Sequence, residues 1–555
     1  MELRAKRALA LIALLLAAAP ASAAADVRRP ASQTEPPAFY SRSAVDAIAI
    51  ARGVEEVRDQ RRKRPALMPV AYVEPGRRWQ VSWYADGRER VQVHLRDWDG
   101  RVVEVWTGHQ VAWRMARGYD GAFGRKVNAP YVWLPLCLVF LLPFVHPRRP
   151  FRLLHLDLLV LLLFGVSHIW FNRGEIGVSV PLAYPVLAYL LVRMLVAGFR
   201  RRDRGDPLVP LVPVTWLAVG LLFLAGFRIG LNVTDSNVID VGYASVVGAD
   251  RIADGDSLYE GEFPRDLRNG DTYGPVTYLA YLPFEQALRW SGAWDDLPPA
   301  HAAAIAFDLL TMLGLLVLGW RLRPGSGRGW RSEGTALGLA LAFAWAAFPY
   351  TLFTMNSGAN DTLVAMLVTW ALVALSSPAA RGALLALGAA AKFAPLALAP
   401  LFATAGPRRL RGAIGFSTVL AVVLAATFLP FLPEGGVREV YDRTVGYQAG
   451  RASPFSVWGL EPGLDWLQTA ITVGAVGLAL LVAFVPRRKD AVQVAALGAA
   501  VILAVQLAME HWFYLYIVWF LPLALVALFA VHGRPKPAPP ARATEPAGEP
   551  APVAA

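Results

Sequence analysis

One cysteine in 555 residues, Cys137, excludes an intrachain disulfide, so no part of this chain is braced by one. Cys137 lies inside an apolar run and reads as a small packing residue. Charge is scarce as well: 17% of residues are charged while 55% are hydrophobic, a balance that excludes one large soluble globule. The charge that is present leans to +12, yet its arginines and lysines stand at the ends of apolar runs and form no continuous stripe. That placement argues against a nucleic-acid partner and for arginine as the determinant of membrane orientation.

What the sequence has in abundance is apolar runs. Stretches of roughly 17 to 25 residues recur from residue 130 to 532, each long enough to cross a hydrocarbon core of about 30 Å as a helix. Membrane lipid is therefore the first partner. Arg4, Lys6 and Arg7, the apolar Ala8–Ala19 run and Ala21-Ser22-Ala23 predict a cleaved export signal over 1–24, with an uncleaved anchor as the competing reading. Residues 25–127 predict a small α+β domain: a helix over 43–62 ending in Arg61-Arg62-Lys63-Arg64, then three strands around Trp79–Trp83, Val91–Leu95 and Val103–Trp106. A helix on a small antiparallel meander resembles a PepSY-type domain, and no catalytic motif accompanies it.

With that domain outside, the positive-inside rule orients every span. The cytoplasmic turns carry Arg148, Arg149 and Arg152; Arg200, Arg201, Arg202 and Arg204; Arg321, Arg323, Arg328 and Arg331; Arg408, Arg409 and Arg411; and Arg487, Arg488 and Lys489. Three spans occupy 128–206 and the remainder 207–532, with outer loops 231–299 and 432–462. One span is expected over 335–353. The stretch 380–404 begins and ends on the basic side, so it is expected to be two half-helices meeting at Lys392, with Pro395 discouraging a continuous helix. The Pro- and Ala-rich tail 533–555 is expected to be disordered in the cytoplasm.

Once oriented, the polar residues gather on the extracytoplasmic side, and ionisable groups at one membrane depth mark a functional site. Asp240 and Asp235, each within a few residues of the membrane surface, are the candidate general bases, Asp240 first; a helix cap or a solvated loop acid is the alternative for either. Lys392, Arg443, Arg451 and His511 are the candidate cations for a departing anion. Snorkelling toward headgroups, loop solvation and an aromatic belt around Trp512 are the plain alternatives for Lys392, the arginines and His511 respectively. Asn360 and Asp361 either bind ligand or cap the helix that starts there.

Asp240 just after a span, a helix running from Tyr243 to Gly255-Asp-Ser-Leu-Tyr259, and the Tyr273-Gly274-Pro275 turn resemble the GT-C superfamily of polyprenyl-phosphate-sugar-dependent glycosyltransferases. More narrowly they resemble glycosyltransferase family 87, over about residues 207–532. Ser357-Gly358-Ala359-Asn360-Asp361 and Ala391-Lys392-Phe393-Ala394-Pro395 continue the resemblance, the latter where the family has a Lys-x-x-Pro-type turn. The family commonly has Gly-Gln-Asn where this chain has Gly358-Ala359-Asn360, and here a soluble domain and three extra spans come first.

The resemblance implies a mainly α, polytopic GT-C-like bundle and an inverting transfer of a hexose, mannose being the candidate, from a polyprenyl-phosphate donor to a glycan or glycolipid acceptor. Tyr243, Tyr259 and Tyr273 join Asn360, Asp361, Lys392, Arg443, Arg451 and His511 as expected substrate-binding residues. No metal is expected to be required, although some superfamily members use a divalent cation. A transporter or flippase built on the broken 380–404 segment is the alternative, and Asp157 and Asp308 within spans are its best evidence. A sensor ranks last, since no output domain follows the spans.

Overall fold

The computed structural model describes residues 27–532 except 119–124, 201–211, 261–262, 265–266, 268, 295, 324–328, 331, 407–408, 452 and 462. The expected signal (1–24) and the tail (533–555) lie outside the described residues.

The amino-terminal domain opens with a capping box. Ser43 Oγ accepts from the Asp46 amide and the Asp46 carboxylate accepts from the Ser43 amide, which starts helix Ala44–Arg52. The single expected helix is in fact two, because the chain turns at Gly53-Val54 before Glu55–Lys63. Four strands follow, not three: β1 (Met68–Glu74), β2 (Arg78–Ala85), β3 (Arg88–Arg96) and β4 (Val102–Thr107), antiparallel in the order β1-β2-β3-β4. Pro69 disguises β1 in the sequence. It is tolerated there because β1 is an edge strand, where one missing N–H breaks no ladder on both sides. Trp79, Val81 and Trp83 of β2 and Val91, Val93 and Leu95 of β3 are buried with Ala44, Ala47 and Ala51.

Beyond residue 130 the chain is a polytopic helical membrane protein. Seven helices are long and apolar enough to span: Leu153–Asn172, Ile176–Phe199, Val214–Thr234, Pro298–Leu322, Leu410–Phe431, Asp465–Phe484 and Ala491–Ala508. The expected 335–353 span is instead a pair, Glu333–Ala347 and Pro349–Asn356, bent by 59°. Pro349 supplies no amide to the preceding turn, and Phe348 before it is extended, so the helix cannot run through. Shorter apolar helices Pro130–Leu141, Asp361–Val373, Pro378–Ala391, Ala394–Ala403 and Tyr514–Phe529 complete the bundle.

Two buried acids inside it are each matched by an arginine. Arg228 meets Asp308 at 2.6 Å, and Trp345 donates to the same carboxylate at 2.8 Å. Arg193 Nε lies 2.9 Å from both Asp157 oxygens, with Tyr189 donating at 2.8 Å. A buried acid requires such a partner, because desolvation without one costs several kcal/mol, of order 3–5 for a broken pair.

Candidate active site

Two tight turns assemble the site. Residues 235–239, just past Val214–Thr234, run beside the turn after Asn356: the Asn237 amide donates to Asn356 O at 3.1 Å and the Ile239 amide to Ser357 O at 3.0 Å. Helix Asp240–Asp254 then starts against Gly358, and a Cβ on Gly242 would lie 2.3 Å from Gly358 O. Asn360 Nδ2 donates to Ser245 Oγ at 3.1 Å, fastening this helix to the start of Asp361–Val373.

The second turn is Tyr273-Gly274-Pro275. It docks on the end of Pro378–Ala391: Thr277 Oγ1 donates to Ala391 O at 2.8 Å, and a Cβ on Gly274 would lie 2.0 Å from Ala390 O. Only glycine permits that approach. Helix Pro378–Ala391 stops at Lys392, which is extended, and a 3₁₀ turn resumes at Ala394-Pro395. Tyr273 and Lys392 are thereby neighbours.

Asp240, Tyr273, Asp361, Lys392, Arg451 and His511 line one cavity of about 160 Å³. Lys392 Nζ meets Asp361 Oδ1 at 2.7 Å, and Trp519 Nε1 donates to the same oxygen at 2.8 Å. The ammonium also lies over three rings, Tyr273 at 5.4 Å and Tyr516 and Trp519 each at 5.6 Å, so it is held from several sides. Asp361 Oδ2 has no hydrogen-bond partner among the described residues. Arg451 stacks on Trp113, its guanidinium carbon 4.7 Å from the ring centroid, and its Nε has no hydrogen-bond partner among the described residues.

Asp240 is exposed to the cavity, and its carboxylate takes a hydrogen bond from the Val241 amide at 2.9 Å. Because protein surrounds the cavity, desolvation raises the Asp240 pKa above its ordinary 3.8, against the opposing pull of Arg451 and Lys392. His511 moves the other way. Burial, then Arg451 and Lys392, hold its pKa well below 6.5, and Nδ1 sits 2.8 Å from Ser453 Oγ. The imidazole is therefore neutral at pH 7, which leaves Lys392 and Arg451 as the cavity's cations.

Other expected site residues stand outside the cavity and support it. Asp235 pairs with Lys126 at 2.8 Å, linking the span end to the segment that descends from the sheet domain. Tyr243 packs against Trp290 and Trp294. Tyr259 donates to Tyr273 O at 2.8 Å, and Arg443 holds Asp271 at 2.7 Å, so both secure the loop that presents Tyr273. Asn360 fastens the Asp240 helix, as described.

Sequence reasoning missed Tyr516, Trp519, Trp113 and Met115. The first two are three residues apart at the start of the last helix, a spacing that puts them on one face, but an interfacial aromatic belt has the same appearance. Met115, a cavity-lining residue from the segment after the sheet, carries no sequence signal at all. Among the described residues no group of three or more His, Cys, Asp or Glu side chains is arranged to hold a metal ion. Asp157 and Asp308, the acids a proton relay would use, are each held by an arginine of their own.

No curated protein compared with the chain matches it. Residues 272–545 match the model of glycosyltransferase family 87, a span that takes in Tyr273, Asn360, Asp361, Lys392, Arg443, Arg451 and His511 and begins after Asp235, Asp240, Tyr243 and Tyr259. Over that region, and with its membrane-spanning helices, the chain resembles glycosyltransferase family 87 and is a membrane glycosyltransferase.

Proposed function

We propose that the protein transfers a hexose, mannose being the first to test, from a polyprenyl phosphate to a glycan or glycolipid hydroxyl on the extracytoplasmic face of the cytoplasmic membrane. The observation that carries this reading is the meeting of one exposed carboxylate, Asp240, with two cations, Lys392 and Arg451, in a single cavity. Asp240 accepts the proton of the acceptor hydroxyl as its oxygen bonds to the anomeric carbon. The bond from that carbon to the phosphate oxygen breaks, its electron pair leaves on the lipid phosphate, and a single displacement inverts the centre. Lys392 and Arg451 stabilise the departing phosphate, a charge that grows only as the bond breaks.

This reading uses those two cations, Lys392 being shared between Asp361 and the phosphate, and calls on no metal. The face follows from the arginines that end the spans away from the cavity, such as Arg321 and Arg323, which the positive-inside rule assigns to the cytoplasm. Purified protein given polyprenyl-phosphate mannose and an acceptor glycolipid tests the assignment. Asp240→Asn should lower the transfer rate by about 10²–10⁴-fold, the usual contribution of a general base. Asp235→Asn should retain most of the rate. Undiminished transfer by Asp240→Asn would remove the base and with it the mechanism.

A further inference from the structure

A second cavity, of about 350 Å³, opens at the other end of the bundle. Helix Pro298–Leu322 relates the two ends: His301 near its start hydrogen-bonds Asn232 and Ser236 beside the active cavity, whereas Arg321 near its finish lines the second one. Twenty residues of helix separate them, about 30 Å. Four arginines line it, Arg193, Arg200, Arg321 and Arg323, with one acid, Asp490.

The side chains are unequally committed. Asp490 Oδ1 is occupied by the Gln493 amide at 2.8 Å, as the cap of helix Ala491–Ala508. Arg323 Nη2 donates to Ala530 O at 2.7 Å, and its Nε is 4.0 Å from Glu333. Arg200 and Arg321 are exposed and make no ion pair among the described residues. Arg193 is the informative one. It is 8% exposed, its Nε is held by Asp157, and its Nη1 has no hydrogen-bond partner among the described residues. An arginine that merely anchors a span end belongs in the headgroup layer, yet Arg193 stands six residues, about 9 Å, before the end of Ile176–Phe199. Ala491 and Val492 also line the cavity, at the positive end of their helix.

We propose that this cavity binds the phosphate group of an anionic phospholipid at the arginine-rich end of the bundle. Arg193 and the first turn of Ala491–Ala508 meet the phosphate from within, and Arg200 and Arg321 close over it from the headgroup layer. Basic pockets between spans that engage lipid phosphates obey the same electrostatics, and a phosphate oxygen satisfies the donor Arg193 leaves open. Inorganic phosphate offers the same chemistry from solution.

Fluorescently labelled phosphatidylglycerol, titrated onto the full-length protein in phosphatidylcholine nanodiscs, tests this directly. The wild type should bind it in preference to labelled phosphatidylcholine, and Arg200→Gln/Arg321→Gln should weaken binding by roughly ten- to thirtyfold. Glycosyl transfer by that variant should stay at the wild-type rate, since neither residue reaches the active cavity. Displacement of the label by millimolar inorganic phosphate would keep the anion site and assign it to a soluble ligand. Equal binding of both lipids by the wild type, or unchanged affinity in the double variant, would overturn the proposal. Arg193→Lys, which keeps the charge and loses the fork, should give an intermediate affinity provided its unfolding temperature matches the wild type.

Discussion

At the scale of single residues, the site rests on unequal partnerships. Lys392 is paired with Asp361 at 2.7 Å and lies over three rings, whereas Asp361 keeps one oxygen without a hydrogen-bond partner among the described residues. Lys392→Met would leave a buried carboxylate without its counter-ion and should destabilise the protein by about 3–5 kcal/mol. Lys392→Met/Asp361→Asn should recover most of that loss in a denaturation experiment while transfer stays low; equal stability of the two variants would refute the coupling. Asp240 bears on pH. A general base works deprotonated, and its raised pKa places the acid limb of kcat/KM above the 3.8 of an ordinary aspartate. Arg451 pulls that pKa down, so Arg451→Gln should move the limb to higher pH as well as slow transfer. A kcat/KM–pH profile with an unmoved limb would separate Arg451 from Asp240. Asp240, Asp361, Lys392, Arg451 and His511 were legible in the sequence because ionisable side chains near membrane depth are too costly to be incidental. Trp519 was not, because an aromatic residue at a helix start looks the same whether it anchors in lipid or donates to a carboxylate.

At the scale of elements, glycines set the spacing. Gly274 brings the Tyr273 turn onto Ala390, and that contact places the ring over Lys392. A methyl group there meets backbone, not a flexible side chain, so Gly274→Ala should push the turn away and reduce transfer at least tenfold, by about 1.4 kcal/mol or more. Gly226→Ala in the Val214–Thr234 span meets nothing within 4 Å and should be nearly neutral in the same assay. Similar rates for the two variants would show that the docking is dispensable. The motif Tyr273-Gly274-Pro275 could be picked out of the sequence as a turn, but the partner that makes its glycine necessary lies more than a hundred residues away. The bend at Phe348 and strand β1 were obscured for a related reason: proline reads as a breaker, and whether it ends an element, bends it or sits on a harmless edge depends on neighbours.

At the scale of the whole molecule, the sheet domain and the cavity lined by Asp240 and Lys392 are joined physically. Trp113 stacks on Arg451 and packs edge-on against Phe455, Met115 lines the cavity, and Lys126 reaches Asp235. The sheet domain is thus on the same side of the bundle as that cavity, and the proposed orientation puts both outside. In a Cys137→Ser background, Asp86→Cys in the β2–β3 turn should react with a membrane-impermeant maleimide on intact cells, and Arg487→Cys should react only after lysis. The reverse pattern would invert the topology and place the proposed chemistry in the cytoplasm. By itself the sequence determined that this chain is a helical membrane protein with a small α+β domain, because the bilayer imposes long apolar runs and arginine at span ends regardless of how the helices pack. It also determined which polar residues had to be explained. Only the tertiary structure decided which of them share a cavity. It moved Asp235, Tyr243, Tyr259, Asn360 and Arg443 into supporting contacts and brought in Trp113, Met115, Tyr516 and Trp519, because shared walls are made by helix ends distant in sequence, and no local pattern encodes which ends meet.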